Sequence, residues 1–267
     1  MIIANWKSNI VDIGQWGQDF HDEYIVNERL QSTIFGVAPP SIYIEKMKGW
    51  KERHTVFGDG EIGFQQALCG VQDVDHSYGS RTGAISVDMV LDLGCNFAII
   101  GHSERRDLFN EDNDLIKEKL KSLKNKVIAV LCIGETKEEN DKGITKDVLK
   151  QQLDIVKEVE LDQSFTVAYE PVWAIGSGLT PQPKDINEIH KYIKDVVQSN
   201  SANKLIPRVL YGGSVTDKNA ESFFMEEFVD GALVGGASLD GKTFANIVNI
   251  AAKFLLIPFS YINLIDT

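Results

Sequence analysis

The chain has 267 residues, of which 43% are hydrophobic and 25% are charged, and this composition excludes a disordered or fibrous protein. Lys and Arg number 27 and Asp and Glu number 39, so the formal net charge is −12. This acidity argues against a protein that wraps nucleic acid or coats an anionic membrane. A small anionic ligand stays compatible with it, because such a ligand responds first to the donors beside it.

The N-terminus and the cysteines predict a cytoplasmic protein. The opening MIIAN has neither the basic region nor the long apolar region of a signal peptide. The apolar run 254–259 is far shorter than a membrane span and contains Pro258. The three cysteines are widely spaced without a C-x-x-C motif, so we expect neither a disulfide framework nor a zinc site.

Short β-rich runs alternate with helical stretches along the whole chain. We predict strands at 2–6, 34–38, 66–71, 97–100, 127–132, 165–169, 205–211 and 231–234. Several of them are continuous apolar runs, which is typical of strands covered on both faces. Eight strands with eight helical crossovers predict an α/β fold, a single-domain (β/α)8 TIM barrel over residues 1–267, with a doubly wound open sheet as the alternative.

The stretches between the strands carry apolar stripes at helical spacing. The clearest stripes are Ile116, Leu120 and Leu123; Leu149, Leu153 and Val156; Ile186, Ile189, Ile193 and Val196; and Phe244, Val248, Ala251 and Leu255. Asp185, with Glu188 three residues later, predicts a capping box at the start of the third helix. The charged, glycine-containing stretch 50–62 predicts an exposed surface insertion, and the tail after 253 is unusually long and apolar.

The chemistry of a barrel lies where its strands end, so the residues directly after each predicted strand are the candidates for a site. Lys7, His102 and Glu170 come after strands one, four and six, and glycine-rich turns (GGS at 212–214, GGAS at 235–238) come after strands seven and eight. Each feature alone has an ordinary structural explanation, such as a surface charge, a helix cap or a turn. Together they predict one rim that carries an ammonium, an imidazole and a carboxylate beside backbone N–H groups suited to phosphate.

These segments resemble the triosephosphate isomerase family, from NWK at 5–7 through GHSERR at 101–106 and AYEPVWAIG at 168–176 to VGGAS at 234–238. The resemblance implies an isomerase of glycolysis and gluconeogenesis that interconverts dihydroxyacetone phosphate and glyceraldehyde 3-phosphate through an enediolate. It assigns Glu170 as the base and His102 as a neutral electrophile. It further implies that Lys7 supplies positive charge, that Asn5 positions it, and that Glu104 is the acidic neighbour of the site.

The resemblance also implies how the phosphate is held and covered. Backbone groups of Gly176, Ser214, Gly235 and Gly236 would bind it. The segment 171–181 would form a lid whose Ile175 shields the base from water. Neither a metal ion nor an organic cofactor is required by this chemistry.

Some residues depart from the family pattern. Thr82, in GSRTGA at 79–84, matches the loop through which the family forms a homodimer. Ala84 stands where the family usually has a glutamate that pairs with the arginine matching Arg105, and Asp73 stands where asparagine is expected. Arg105 must therefore find another partner or stay hydrated, because an unpaired buried charge is costly. Pro181 replaces a small residue at the far hinge of the lid and could stiffen closure.

Two alternatives remain open from the sequence. The chain could be another phosphate-binding barrel enzyme, such as a different sugar-phosphate isomerase, which would share the glycine turns but would not need the lid beside a glutamate. It could instead be a weakened or monomeric variant that acts as a scaffold. A scaffold predicts an eroded site, whereas the candidate side chains are all present.

Overall fold

The computed structural model of the protein describes residues 1–24, 33–55, 67–175 and 180–255. Eight parallel strands of these ranges close into a barrel in chain order, which confirms the (β/α)8 prediction and excludes the open sheet. The strands are β1 (Ile2–Asn5), β2 (Phe35–Ala38), β3 (Ala67–Val71), β4 (Phe97–Ile100), β5 (Ile128–Ile133), β6 (Thr166–Tyr169), β7 (Arg208–Tyr211) and β8 (Ala232–Val234). Pairing of β1 with β8 closes the barrel, with Ile3 opposite Leu233.

The predicted strands coincide with the observed ones to within a residue at most ends. The largest difference is at β7, which begins at Arg208, three residues after the predicted start. Pro207 precedes it and has no N–H to give to a neighbouring strand, so the ladder cannot extend further towards the N-terminus.

The helices lie between the strands, around the outside of the barrel. Within the described ranges they are α1 (Ile13–Glu23), α2 (Ile44–Thr55), α3 (Val87–Asp92), α4 (Ser103–Leu108), α5 (Asn113–Leu123), α6 (Lys137–Asp141), α7 (Thr145–Leu153), α8 (Pro183–Asn200), α9 (Ala220–Phe224) and α10 (Gly241–Phe254). None of these helices combines the length and the apolar character that crossing a membrane requires.

The predicted apolar stripes face the barrel. Ile116, Leu120 and Leu123 of α5 are all buried. The predicted capping box of α8 is wrong, because the helix begins at Pro183 and Asp185 lies inside its first turn. A proline suits the first helical position, since its fixed φ is already helical and its missing N–H would have no partner there.

The interior of the barrel is a second apolar layer, separate from the one beneath the helices. Its members are Met1, Ile3, Ile34, Ala38, Leu68, Phe97, Ile99, Val130, Cys132, Ala168, Leu210 and Leu233. Phe97 fills the amino-terminal end of this interior. Gly36 and Gly70 on the neighbouring strands make room for its ring, since a Cβ on either would lie 2.7 or 2.5 Å from ring atoms.

The predicted exposed insertion at 50–62 is wrong at its first residue. Trp50 is only 3% exposed and lies within α2, where its ring packs against Trp16 with centroids 5.7 Å apart. Gly17 of α1 permits this contact, because a Cβ there would lie 1.9 Å from the indole nitrogen of Trp50. Residues 56–66 and the tail 256–267 lie outside the described ranges, so the rest of the insertion and the tail stay predictions.

Candidate active site

The structure brings Lys7, His102 and Glu170 together at the carboxyl end of the barrel. All three line one cavity of ≈ 410 Å³, and Asn5 lines it as well. Lys7 lies two residues after β1, His102 immediately precedes α4, and Glu170 immediately follows β6. The parallel strands all point the same way, so residues 163 positions apart in the chain meet on one rim.

The backbone around Lys7 is held in an unusual conformation. Its φ is 48°, in the left-handed region that residues with a Cβ rarely adopt. The Asn5 amide oxygen accepts from Lys7 N at 3.1 Å, and Gln72 donates to the Lys7 carbonyl at 2.9 Å. The Lys7 ammonium donates to Glu104 Oε1 at 2.6 Å. These contacts fix Lys7 at the cavity wall.

The hydrogen bonds of His102 define which of its ring nitrogens carries the proton. The backbone N–H of Glu104, in the first turn of α4, donates to Nδ1 at 3.2 Å. Nδ1 must therefore present a lone pair, which leaves the proton of a neutral ring on Nε2. Nε2 lies 2.9 Å from Glu170 Oε1, so it donates towards the carboxylate and into the cavity.

Glu170 is only 2% exposed, yet its carboxylate is well supplied with donors. Ser103 N donates to Oε2 at 3.0 Å, while His102 contacts Oε1. Burial alone would raise the pKa of Glu170, but His102, the Ser103 N–H and Lys7 outweigh it and hold that pKa below its usual value. Burial alone would likewise lower the pKa of His102, but the adjacent Glu170 carboxylate outweighs it and raises that pKa.

Two glycines make room for the base, and neither was predicted to pack against it. A Cβ on Gly134 would lie 1.7 Å from the carbonyl oxygen of Glu170, and one on Gly212 would lie 2.8 Å from its Cγ. Gly134 follows β5 directly, so its place at a strand end was the available signal. Ser103 gave no such signal, because its contribution is a backbone N–H that nearly any residue carries.

The start of the predicted lid is anchored by a buried carboxylate that the sequence did not reveal. Glu135 is 0% exposed and accepts from Trp173 Nε1 at 2.7 Å and from Tyr169 OH at 3.1 Å. Burial raises the pKa of Glu135 although these donors act in the opposite direction. Ile175, expected to shield the base, lines the cavity beside Glu170. Residues 176–179 lie outside the described ranges, and with them Gly176.

The two glycine-rich turns close the far side of the same cavity, which Ser214, Gly235 and Gly236 line. Asn219 donates to the Ser214 carbonyl at 2.9 Å, which holds the first turn. Ser238 donates to the Gly235 carbonyl from its hydroxyl at 2.7 Å, which holds the second.

Among the described residues, no group of three or more His, Cys, Asp or Glu side chains is arranged to hold a metal ion.

Comparison with known proteins decides the family. The family model described as triosephosphate isomerase matches residues 1–251. The chain belongs to the triosephosphate isomerase family. The triosephosphate isomerase of Legionella pneumophila is 40% identical over 256 residues, which cover 93% of this chain and 97% of the relative. Those of Erwinia tasmaniensis and Baumannia cicadellinicola are each 39% identical, over 94% and 95% of this chain and 96% and 97% of the relatives.

As a member of the triosephosphate isomerase family, the protein is an isomerase, and its barrel is the expected one. The roles of the individual side chains stay predictions that the geometry permits.

Arg105, for which the sequence offered no acid at Ala84, is paired with Asp73 at 3.0 Å and with Glu111 at 2.7 Å.

Proposed function

We propose that the protein interconverts dihydroxyacetone phosphate and glyceraldehyde 3-phosphate, with Glu170 as the base and His102 as the electrophile. The observation that carries this proposal is the meeting of a buried carboxylate and an imidazole, 2.9 Å apart, in a cavity that Lys7 also lines. A cavity of ≈ 410 Å³ is of the size that holds a small metabolite. Family membership supports the choice of a triose phosphate.

The reaction moves one proton between two neighbouring carbons. The Glu170 carboxylate takes the proton from C1 of dihydroxyacetone phosphate, and the electron pair of that C–H bond moves towards the carbonyl, giving an enediolate. His102 gives its Nε2 proton to the oxygen on C2 and takes the hydroxyl proton from the oxygen on C1, while Glu170 returns its proton to C2, which yields the aldehyde. Negative charge develops on the substrate oxygens, so the donors aimed at them, His102 Nε2–H and the Lys7 ammonium, stabilise the transition state more than the substrate.

The charges of the site explain how His102 can act as a neutral acid. Burial and Lys7 lower the pKa of His102 in the free enzyme, whereas the Glu170 carboxylate and, more weakly, Glu104 raise it. Once Glu170 holds the proton from the substrate, the larger of the two raising charges is gone, and burial, the strongest influence, favours the neutral imidazole. A neutral donor matches the weakly acidic substrate hydroxyls better than an imidazolium would.

Substrate binding must separate the two groups. A gap of 2.9 Å between His102 Nε2 and Glu170 Oε1 leaves no space for a substrate atom between them. We therefore propose that the substrate oxygen takes over the His102 hydrogen bond while the carboxylate turns towards the substrate carbon. The lid, from Pro171 to Pro181, would then exclude water and raise the basicity of Glu170.

The phosphate is proposed to bind the backbone N–H groups of Ser214, Gly235 and Gly236, with Gly176 completing the site from the lid. Backbone donors can hold a dianion without a side-chain charge. Lys7 supplies the positive charge, and Asn5 and Glu104 hold it in place, as their hydrogen bonds support.

We propose a homodimer formed through the loop 79–84, which contains Thr82. Large apolar side chains beside this loop are exposed in the single chain, among them Tyr78 at 79% and Phe109 at 61%. A second copy of the chain would bury them. The molar mass in solution, followed together with specific activity on dilution, tests this proposal, and a monomer with full activity contradicts it.

The buried thiols of Cys69, Cys95 and Cys132 support a cytoplasmic location.

A coupled assay tests the activity, and Glu170→Asp tests the base. Shortening the side chain withdraws the carboxylate by about one carbon–carbon bond, and a 1 Å misplacement of a reacting group can cost about a hundredfold in kcat. Glu118→Asp, on the exposed face of α5, is the matched control and leaves kcat unchanged. If the protein turned over another sugar phosphate in a panel but no triose phosphate, the chain would instead be a different phosphate-binding barrel enzyme. Absence of turnover with every substrate would favour the scaffold.

A further inference from the structure

We infer that Asp73 is a positioning residue for the isomerase site, acting on the helix that carries His102 and Glu104. This inference rests on the proposed function. It starts from a closed ring of four charged side chains, Asp73, Arg105, Glu111 and Lys119, outside the substrate cavity. Two carboxylates alternate with two cations, so the ring is neutral.

All four ion pairs of the ring are short. Arg105 lies 3.0 Å from Asp73 and 2.7 Å from Glu111, and Lys119 lies 2.7 Å from Asp73 and 2.6 Å from Glu111. Glu111 and Lys119 are almost fully buried, with side-chain exposures of 3% and 4%. Buried charges are stable only when they are paired, so removing one member leaves its neighbours under-neutralised.

Asp73 is the member that ties the ring to the barrel. It lies two residues after the end of β3, a strand whose own carboxyl end provides none of the candidate catalytic side chains. Arg105 belongs to α4, Lys119 to α5, and Glu111 to the segment that joins these helices. The contact from Asp73 to Arg105 therefore holds α4 against the end of β3.

The position of α4 matters because both the electrophile and the base of the proposed reaction depend on it. His102 is the residue that caps α4, and the Glu104 N–H that fixes its tautomer belongs to the first turn of that helix. Ser103 N, also at that end, holds the Glu170 carboxylate. A rotation of α4 would thus move the electrophile and loosen the base together.

The residue before Asp73 holds the opposite wall of the site. Gln72 donates to the carbonyls of Lys7 and Ala38, both at 2.9 Å. The Lys7 ammonium in turn reaches Glu104 at 2.6 Å. Residues 72 and 73 at the end of β3 thus fix the Lys7 segment and α4 relative to each other, while the phosphate turns lie on other strands.

The test is Asp73→Asn, which keeps the size of the side chain and removes its charge. We expect kcat for triose phosphate to fall about tenfold or more, since sub-ångström to 1 Å displacements of catalytic groups have effects of this order. The inhibition constant of inorganic phosphate, which reports on the turns after β7 and β8, stays within about twofold of its original value. The matched control is Asp114→Asn, which removes from α5 an exposed carboxylate that pairs with Lys117 instead of with a member of the ring.

A second variant and a spectroscopic readout keep the test decisive if Asp73→Asn folds poorly. Arg105→Lys keeps the charge but provides one nitrogen instead of the two that reach Asp73 and Glu111, so it should lower kcat similarly. The His102 ring signal in an NMR spectrum, assigned with His102→Gln among the 5 histidines, should shift in Asp73→Asn and not in Asp114→Asn.

The outcomes separate this inference from the proposed function. Suppose that the original protein is active and that Asp73→Asn has the same kcat and an unshifted His102 signal. This result would overturn the positioning role of Asp73 and leave the isomerase proposal intact. A parallel loss of kcat and of phosphate binding would also overturn it, because that pattern indicates general damage. If the original chain turned over no triose phosphate, the proposed function would fail, and the His102 signal would still decide whether Asp73 positions α4.

Discussion

Gly134→Ala is the substitution that tests most directly how the base is held. The added Cβ would lie 1.7 Å from the carbonyl oxygen of Glu170 and 2.6 Å from its carbonyl carbon. Real contacts of this kind are not shorter than 3.0 Å, so the two segments must separate by a further distance of about 1.3 Å. The segments are joined by the hydrogen bond from Glu170 N to the Ile133 carbonyl at 2.7 Å, so the strain falls on the backbone that carries the base.

A shift of this size predicts a large loss of rate. Misplacing a reacting group by about 1 Å costs on the order of a hundredfold, which corresponds to about 2.7 kcal/mol of transition-state stabilisation. We expect kcat of Gly134→Ala to fall by about that factor in the coupled assay, with the KM for triose phosphate changed much less, since the phosphate turns are elsewhere.

The matched control is Gly36→Ala, which introduces a clash near the opposite end of the barrel from the chemistry. Its Cβ would lie 2.7 Å from a ring atom of Phe97, at the amino-terminal end of the barrel. Overpacking there lowers the free energy of unfolding by about 1–3 kcal/mol and leaves the kcat of the folded enzyme unchanged. A Gly134→Ala enzyme that folds and keeps its kcat would refute the reasoning.

Two further predictions concern buried polar groups away from the reacting atoms. Burial lowers the pKa of His190 to about 3, so His190 stabilises the fold fully above pH 6.5, and this contribution is lost as the pH falls towards 3. Between pH 6.5 and 5, the free energy of unfolding measured by urea titration should therefore fall by about 2 kcal/mol less in His190→Gln than in the original protein. The control is His21→Gln, which changes a half-exposed histidine. Parallel pH profiles for His190→Gln and the original protein would contradict this prediction. Trp173→Phe removes a donor from the buried carboxylate of Glu135 and should lower the free energy of unfolding at pH 7 by about 1–3 kcal/mol in the same assay, and an unchanged urea midpoint would show that the bond contributes nothing.

The sequence by itself determined the order of the elements and the strand ends on which the candidate site lies. Continuous apolar runs predicted the strands, because a strand covered by helices outside and by side chains inside needs no polar face. Lys7, His102 and Glu170 could be selected because parallel strands bring their carboxyl ends to one rim whatever lies between them. These inferences depend on local patterns and on topology, which one sequence contains.

The tertiary structure alone decided which charges and surfaces meet. Trp50 was assigned to an exposed stretch from its charged neighbours, but it packs against α1, a segment more than thirty residues earlier, whose Gly17 leaves it room. The sequence likewise left the partner of Arg105 open, and the fold supplies Asp73 and Glu111, which also pair with Lys119. Contacts of this kind join distant segments at sub-ångström precision, and the packing of the whole chain sets them, so no local pattern of residues could specify them.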